Sequence, residues 1–209
     1  TLQNPKTDFP DEVIFIIYHQ ITELYFKLSI HELTQIAHNG RDIQANGQDN
    51  GWKKKLDPEF MAERIMRVNR YFEALTKSFE IMTTGMDKEQ FLRYRMALLP
   101  ASGFQSAQYR MVEIMSTDFI NLVDKEVRSK YNENSPLDEM YEFIYWNKGA
   151  TELATGKKTL TLKQFEKKYT AKFKALAREY KEINMWKKFS AFTDAEKKNS
   201  NLLNAMKQL

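Results

Sequence analysis

The chain has no cysteine, and only seven glycines, five prolines and three histidines in 209 residues. Without cysteine it can build no disulfide framework, thiolate zinc site, iron–sulfur cluster or cysteine nucleophile of its own. That composition fits a reducing compartment such as the cytoplasm. The shortage of glycine and proline argues against an all-β or loop-rich fold. The shortage of histidine confines imidazole chemistry to His19, His31 and His38. No stretch reaches the roughly 18 uncharged apolar residues of a membrane-crossing helix. No basic start followed by an apolar run marks a signal peptide.

What is present points to a folded, helical protein. Aromatics make up 13% and apolar residues 42% of the chain, too much for disorder at 29% charged residues. The length suits one domain. The net charge of +4 is uneven: residues 148–189 hold 12 Lys and Arg against 4 Asp and Glu, whereas residues 1–147 are net acidic. The basic segment has its aromatics at helical spacing, so it reads as the solvated face of an amphipathic helix rather than a nucleic-acid surface.

The spacing predicts a first helix from about Pro10 to His38, with Asp8 as candidate cap and Asn39-Gly40 ending it. Ile14, Ile17, Ile21, Leu24 and Leu28 form one apolar stripe, and Phe15, His19, Phe26 and Ile30 fall on another side. A helix apolar on two sides is expected to be buried on both. Residues 39–56 read as a loop, and Asp57-Pro58 as a cap with first-turn proline. Further helices are expected near 88–99, 104–128, 136–146 and 161–189. A last one starts at the capping box Thr193–Glu196. No strand periodicity or internal repeat stands out, so the expectation is a single all-α bundle over residues 1–209.

Candidate chemistry is sparse. His19 is either a satisfied helix histidine or a group facing a flat ligand walled by Phe15. His31 and His38 fall on the other side of that helix, so neither is expected to share a metal with His19, and no i, i+4 histidine pair exists. Arg95 shares a helix side with Phe91 and Leu98. Arg93 and Arg95 are not expected both to point outward. An inward Arg95 would grip a ligand carboxylate or form a buried ion pair with Glu23 or Glu113. The loop from Pro100 to Ser106 could turn amides toward an anion, though it lacks nucleotide-loop spacing.

Two stretches then carry a family resemblance. Residues Phe15 to Lys27, FIIYHQITELYFK, resemble the F-I-I-x-H-Q-x-x-E-L-W-x-K helix of the tryptophan 2,3-dioxygenases. Phe91 to Arg95, followed by Leu98 to Arg110 (LLPASGFQSAQYR), is similar to the same family's F-R-x-x-L-x-P-x-S-G-F-Q-S-x-Q-Y-R stretch. The resemblance covers residues 8–130, and residues 135–209 add a compatible helical pattern. It implies a cytoplasmic, haem b-dependent, all-α homo-oligomer, a tetramer or dimer of dimers. Such an enzyme inserts O₂ across the indole C2–C3 bond of L-tryptophan to give N-formylkynurenine, in tryptophan catabolism by the kynurenine pathway.

The resemblance also implies roles. His19 takes the distal position near the indole N–H and is the catalytic candidate. Phe15, Ile16, Ile17, Tyr18, Phe91, Arg95 and Leu98 line the substrate, with Arg95 on its carboxylate. Phe79, Ser102, Gly103 and Phe104 border the haem. Phe79 stands where the family has tryptophan, and Phe91 replaces a tyrosine that helps hold the carboxylate. The proximal iron ligand has no counterpart, since residues 186–209 contain no histidine, and it is expected beyond Leu209. Two alternatives stay open: a related haem-dependent aromatic amino-acid oxygenase or hydroxylase, or a non-catalytic helical binding protein. The expected partner is a small aromatic amino acid, with no nucleic acid or membrane.

Overall fold

The computed structural model describes residues 4–95, 97, 106–148 and 158–208. The described fold is predominantly helical, as the spacing predicted. Its axis is α1 (Pro10–Ala37), a 28-residue helix. Proline at the first position suits its start, because that N–H would have no helical acceptor. The cap position belongs to Phe9, not to Asp8 as expected, and makes no side-chain cap bond. Glu12 performs that ordering task instead. Its buried carboxylate accepts from the Lys6 N–H at 2.7 Å, the Thr7 N–H at 2.8 Å and the Thr7 hydroxyl.

At the other end α1 stops where expected. Asn39 and Gly40 both take positive φ, 65° and 78°, and the Gly40 N–H reaches back to Gln35 O at 2.8 Å. A side chain at Gly40 is also barred by packing, since a Cβ would stand 2.7 Å from the Phe60 ring. The expected loop that follows holds a short antiparallel hairpin, β1 (Arg41–Ile43) with β2 (Asp49–Trp52). Trp52 stacks on His38 at 4.9 Å and lies under the Arg41 guanidinium. These strands are too short for a visible period of two.

Next come α2 (Pro58–Ser78), capped by Asp57 as expected, then α3 (Glu80–Thr83), α4 (Lys88–Tyr94) and α5 (Ala107–Ser116). The expected 104–128 helix ends at Ser116 and continues as a 3-10 turn at Phe119–Leu122. The later helices are α6 (Leu137–Glu142), α7 (Tyr145–Lys148), α8 (Leu160–Glu179), α9 (Met185–Ser190), α10 (Asp194–Lys197) and α11 (Ser200–Lys207). Thr159 caps α8, two residues before the expected start at 161, and the Thr193/Glu196 capping box is present. The expected 161–189 helix is interrupted at Tyr180, and Asn184 caps α9.

Two apolar clusters organise the core. The first joins Leu33 and Ile36 of α1 with Met61 and Ile65 of α2, Val112 and Met115 of α5, and Leu202 of α11. The second joins Ile114 of α5 with Tyr141, Ile144 and Trp146, and with Phe165 and Phe173 of α8. Met111 and Leu176 pack against both. Each fully buried Ile, Leu or Met of this kind contributes about 2–3 kcal/mol.

The two-sided burial of α1 is not observed. The side carrying Phe26, Ile30, Leu33 and Ile36 turns into the bundle, whereas Ile14, Ile17, Ile21, Leu24 and Leu28 stay exposed. Spacing identifies apolar sides but not which one a neighbouring helix takes. By length and composition alone, α1 could also cross a membrane. Here it packs against α2 and α5 and carries a buried, paired carboxylate. That carboxylate, Glu32, accepts from Arg64 at 3.2 Å, Arg67 at 3.4 Å and the Tyr71 hydroxyl at 3.3 Å. Burial and the Glu32 charge in turn push the Tyr71 hydroxyl pKa up.

Glu32→Ala leaves these donors without their shared acceptor. It is expected to lower stability by about 3 kcal/mol, read from the urea midpoint. An unchanged midpoint would contradict the cluster's structural role.

Candidate functional site

The side of α1 that carries Phe26, Ile30 and Leu33 into the core carries Phe15 and His19 higher up, where the neighbouring helices leave it open. His19 is exposed and Phe15 half-buried. Their rings lie 4.1 Å apart at 33°. The His19 Nδ1 lies 2.7 Å from the Phe15 carbonyl oxygen. A carbonyl only accepts, so Nδ1 donates there, and in that tautomer Nε2 is the acceptor.

Helix α4 closes one side of this opening. Asp87 caps it by accepting from the Gln90 N–H at 2.8 Å, and its own N–H donates to Asp11 of α1 at 2.6 Å. That tie sets Phe91 5.9 Å from Phe15, with Tyr94 6.0 Å from Phe15 and edge-on to Phe91. Tyr94 is fully buried, and its hydroxyl has no hydrogen-bond partner among the described residues. Burial, with the Asp11 and Glu12 carboxylates nearby, pushes its pKa up to about 12, so it stays protonated.

Arg95 follows at the C-cap of α4, exposed, with its guanidinium 5.8 Å from the Phe91 ring centroid. The expectation that Arg93 and Arg95 could not both face outward is corrected. Both are exposed, because Tyr94 between them takes the inward position on this short helix. The buried ion pair with Glu23 or Glu113 is corrected as well. Glu23 is occupied by Gln108, whose side-chain N–H₂ donates to its carboxylate at 2.7 Å and to its carbonyl at 2.9 Å. Glu113 is occupied by Arg110 at 2.7 Å. Arg110 is itself buried among the rings of Tyr109, Tyr145 and Trp146 and donates to the Tyr145 hydroxyl at 2.6 Å. Burial and the Glu113 carboxylate raise the Tyr145 pKa well above its ordinary value.

The opening thus combines an imidazole, an aromatic wall and a guanidinium that pairs with no carboxylate among the described residues. That set can hold a flat aromatic molecule bearing an N–H and a carboxylate. The family model for tryptophan 2,3-dioxygenase matches residues 1–207. The chain belongs to the tryptophan 2,3-dioxygenase family. A tryptophan 2,3-dioxygenase of Ruegeria sp. (strain TM1040) is 40% identical over 111 residues, 53% of this chain and 35% of that protein. That of Bradyrhizobium diazoefficiens is 34% identical over 113 residues, 54% and 36% of the two chains. That of Nocardioides sp. is 34% identical over 119 residues, 54% and 40%. The matched stretches thus span well under half the length of these curated relatives.

In this family member, the structure brings together Phe15, His19, Phe91 and Arg95. Of the other expected site residues, Ile17 lies on the exposed outer stripe of α1. Ile16 and Tyr18 are buried; the Tyr18 ring stands edge-on to His19 with centroids 6.0 Å apart, and its hydroxyl meets Ser78 Oγ at 3.5 Å. Phe79 follows Ser78 at the end of α2 and is half exposed. Leu98, Ser102, Gly103 and Phe104 lie outside the described residues. Periodicity and charge alone did not single out Tyr94, Gln108 or Glu12. The Gln in Q-Y-R was a signal for the second, because it had no apolar role.

The family is haem-dependent, and the residues fit one side of such a group. His19 is exposed beside the Phe15 and Tyr18 rings, a surface that suits a flat molecule. His31 lies twelve residues along the same helix, about 18 Å away, and His38 is stacked on Trp52. Distance along the axis, rather than helix face alone, keeps them from the His19 site. Among the described residues no group of three His, Cys, Asp or Glu could hold a metal ion.

Glu12 ties the segment before α1 to the same end of the helix. Burial acts to raise its pKa. Hydrogen bonds from Lys6 and Thr7 outweigh this and hold it below the ordinary value. A depressed carboxylate contributes stability above its unfolded pKa and loses it as pH falls through the folded one. Amide-exchange protection at Lys6 and Thr7 is therefore expected to hold near neutrality and to be lost only as the pH falls below the ordinary carboxylate range. In Glu12→Gln it should be weak at every pH. Protection in the parent that is indifferent to pH would contradict the clasp.

Proposed function

We propose that this chain provides the substrate-facing side of a haem-dependent dioxygenase that converts L-tryptophan to N-formylkynurenine. The observation that carries this reading is the meeting of His19 and Phe15 of α1 with Phe91 and Arg95 of α4, in a member of this family. Haem, when bound, supplies the activation of O₂. Every other task falls to side chains. Arg95 pairs its planar guanidinium with the amino-acid carboxylate and so fixes which end of the molecule enters. Phe15 and Phe91 pack on the indole and exclude water from it. His19 Nε2 accepts a hydrogen bond from the indole N–H, while the Phe15 carbonyl holds the ring by Nδ1. Tyr94, kept protonated, backs the two phenylalanines.

The test is haem-reconstituted protein supplied with L-tryptophan and ascorbate, followed at the absorbance of N-formylkynurenine. A Soret band and product are expected. Absence of both overturns the reading, and a hydroxylated aromatic amino acid as product assigns the related hydroxylase chemistry instead. Arg95→Ala should raise KM about 10- to 100-fold, the worth of a charge-assisted carboxylate contact, with Arg95→Lys between the two. An unchanged KM would remove Arg95 from the site.

A further inference from the structure

Helix α4 carries Phe91 and leads into Arg95, yet it is lightly held. From Phe79 to Arg93 no residue is buried, and within α4 only Tyr94 is. Among the described residues one hydrogen bond joins α4 to α1, from the Asp87 N–H to Asp11 at 2.6 Å. That N–H has a local acceptor that it does not use. Asp87 is the N-cap of α4 and Gln90 its third residue, the spacing of a capping box. One half of the box is closed, since Asp87 accepts from the Gln90 N–H at 2.8 Å. The other half is open. Gln90 Oε1, the atom that would accept from the Asp87 N–H, is buried and has no hydrogen-bond partner among the described residues. The box at Thr193 shows the closed form, with the Thr193 N–H donating to Glu196 at 2.9 Å.

We propose that Asp11 is a positioning residue: it takes the Asp87 N–H from Gln90 and so holds Phe91 and Arg95 beside Phe15 and His19. Its effect on substrate rests on the function proposed above; the tie itself does not. Two terms favour the tie. Asp11 lies in the first turn of α1, where the helix dipole favours a carboxylate. A hydrogen bond to an ionised acceptor is also stronger than one to a neutral amide. Two terms oppose it. Docking leaves Gln90 Oε1 and the Tyr94 hydroxyl buried without partners, and both gain water when α4 lifts. Lifting also lets Gln90 close its own box. Helix α4 therefore has two arrangements, docked on Asp11 or capped by Gln90, and opposing terms of similar size separate them. An aromatic amino acid that reaches from His19 to Arg95 meets both only in the docked arrangement, so its binding draws α4 onto α1.

Because the chain has no cysteine, Lys27→Cys on α1 and Glu89→Cys on α4 can carry a pair of spin labels, and pulsed EPR reads the distance between them. Two distances are expected, the shorter one dominant. Asp11→Ala should move the weight to the longer distance. Asp11→Asn, which keeps an acceptor oxygen, should restore the parent's distribution. Gln90→Met removes the competing acceptor and should leave the short distance alone. It decides the matter even where Asp11→Ala fails to fold. One unchanged distance in the parent and in both Asp11→Ala and Gln90→Met overturns the proposal. This readout needs neither haem nor substrate, so it stands or falls apart from the function proposed above. The haem-loaded protein supplies the second measurement. Asp11→Ala should raise KM for L-tryptophan about 10-fold, since it shifts the group that grips the carboxylate. In an Arg95→Ala background the same change should cost under about 2-fold, because Asp11 acts through Arg95. A general loss of folding would be felt in both backgrounds alike, and equal effects in the two overturn the role assigned to Asp11. A parent that forms no product overturns the proposed function, and the label distances still decide the tie.

Discussion

Between Phe26 and Ile36, one side of α1 is held against α2 and α5, with Phe26 in ring contact with both Phe72 and Tyr109. Burial of large apolar side chains drives that packing, and its geometry places everything else. Nearer its N-terminus the same side emerges from the core and presents Phe15 and His19. A rotation of α1 by one residue, about 100°, would move these rings off the open end of the bundle.

Polar contacts convert that packing into a defined orientation. Gln108 satisfies both the carbonyl and the carboxylate of Glu23, so α5 is registered against the motif-bearing turns of α1. Glu32 gathers two arginines and a tyrosine, and Arg110 sits in an aromatic cage with Glu113. Buried charges of this kind gain little net stability against their desolvation, but they penalise any arrangement that leaves one of them unpaired. They hold the scaffold beneath a site whose own side chains are largely exposed.

That exposure is the chemical condition of the site. Among the described residues, no carboxylate pairs with His19 or Arg95. Glu23 and Glu113 are instead taken by Gln108 and Arg110. The wall beneath is neutral and apolar, with the Tyr94 hydroxyl held in its protonated form. Under the proposed function, a zwitterionic aromatic amino acid would find there a counter-charge for one end and an apolar surface for its ring.

The all-α class was legible in the shortage of glycine and proline and in the 3.6-residue spacing. So were the caps at Asp57 and Thr193, the stop at Asn39-Gly40 and the family, from two motifs. Those features are local: they depend on residues within a turn or two of one another, or on residue identity alone. The hairpin at residues 41–52 was not legible, because three- and four-residue strands have no period to detect. Nor was the outward turn of the Ile14–Leu28 stripe, the inward turn of Tyr94 or the partner of each buried charge. Spacing states that a helix has two apolar sides. Which side meets protein and which is left uncovered depends on where helices far along the chain come to lie, and only the tertiary structure decides that.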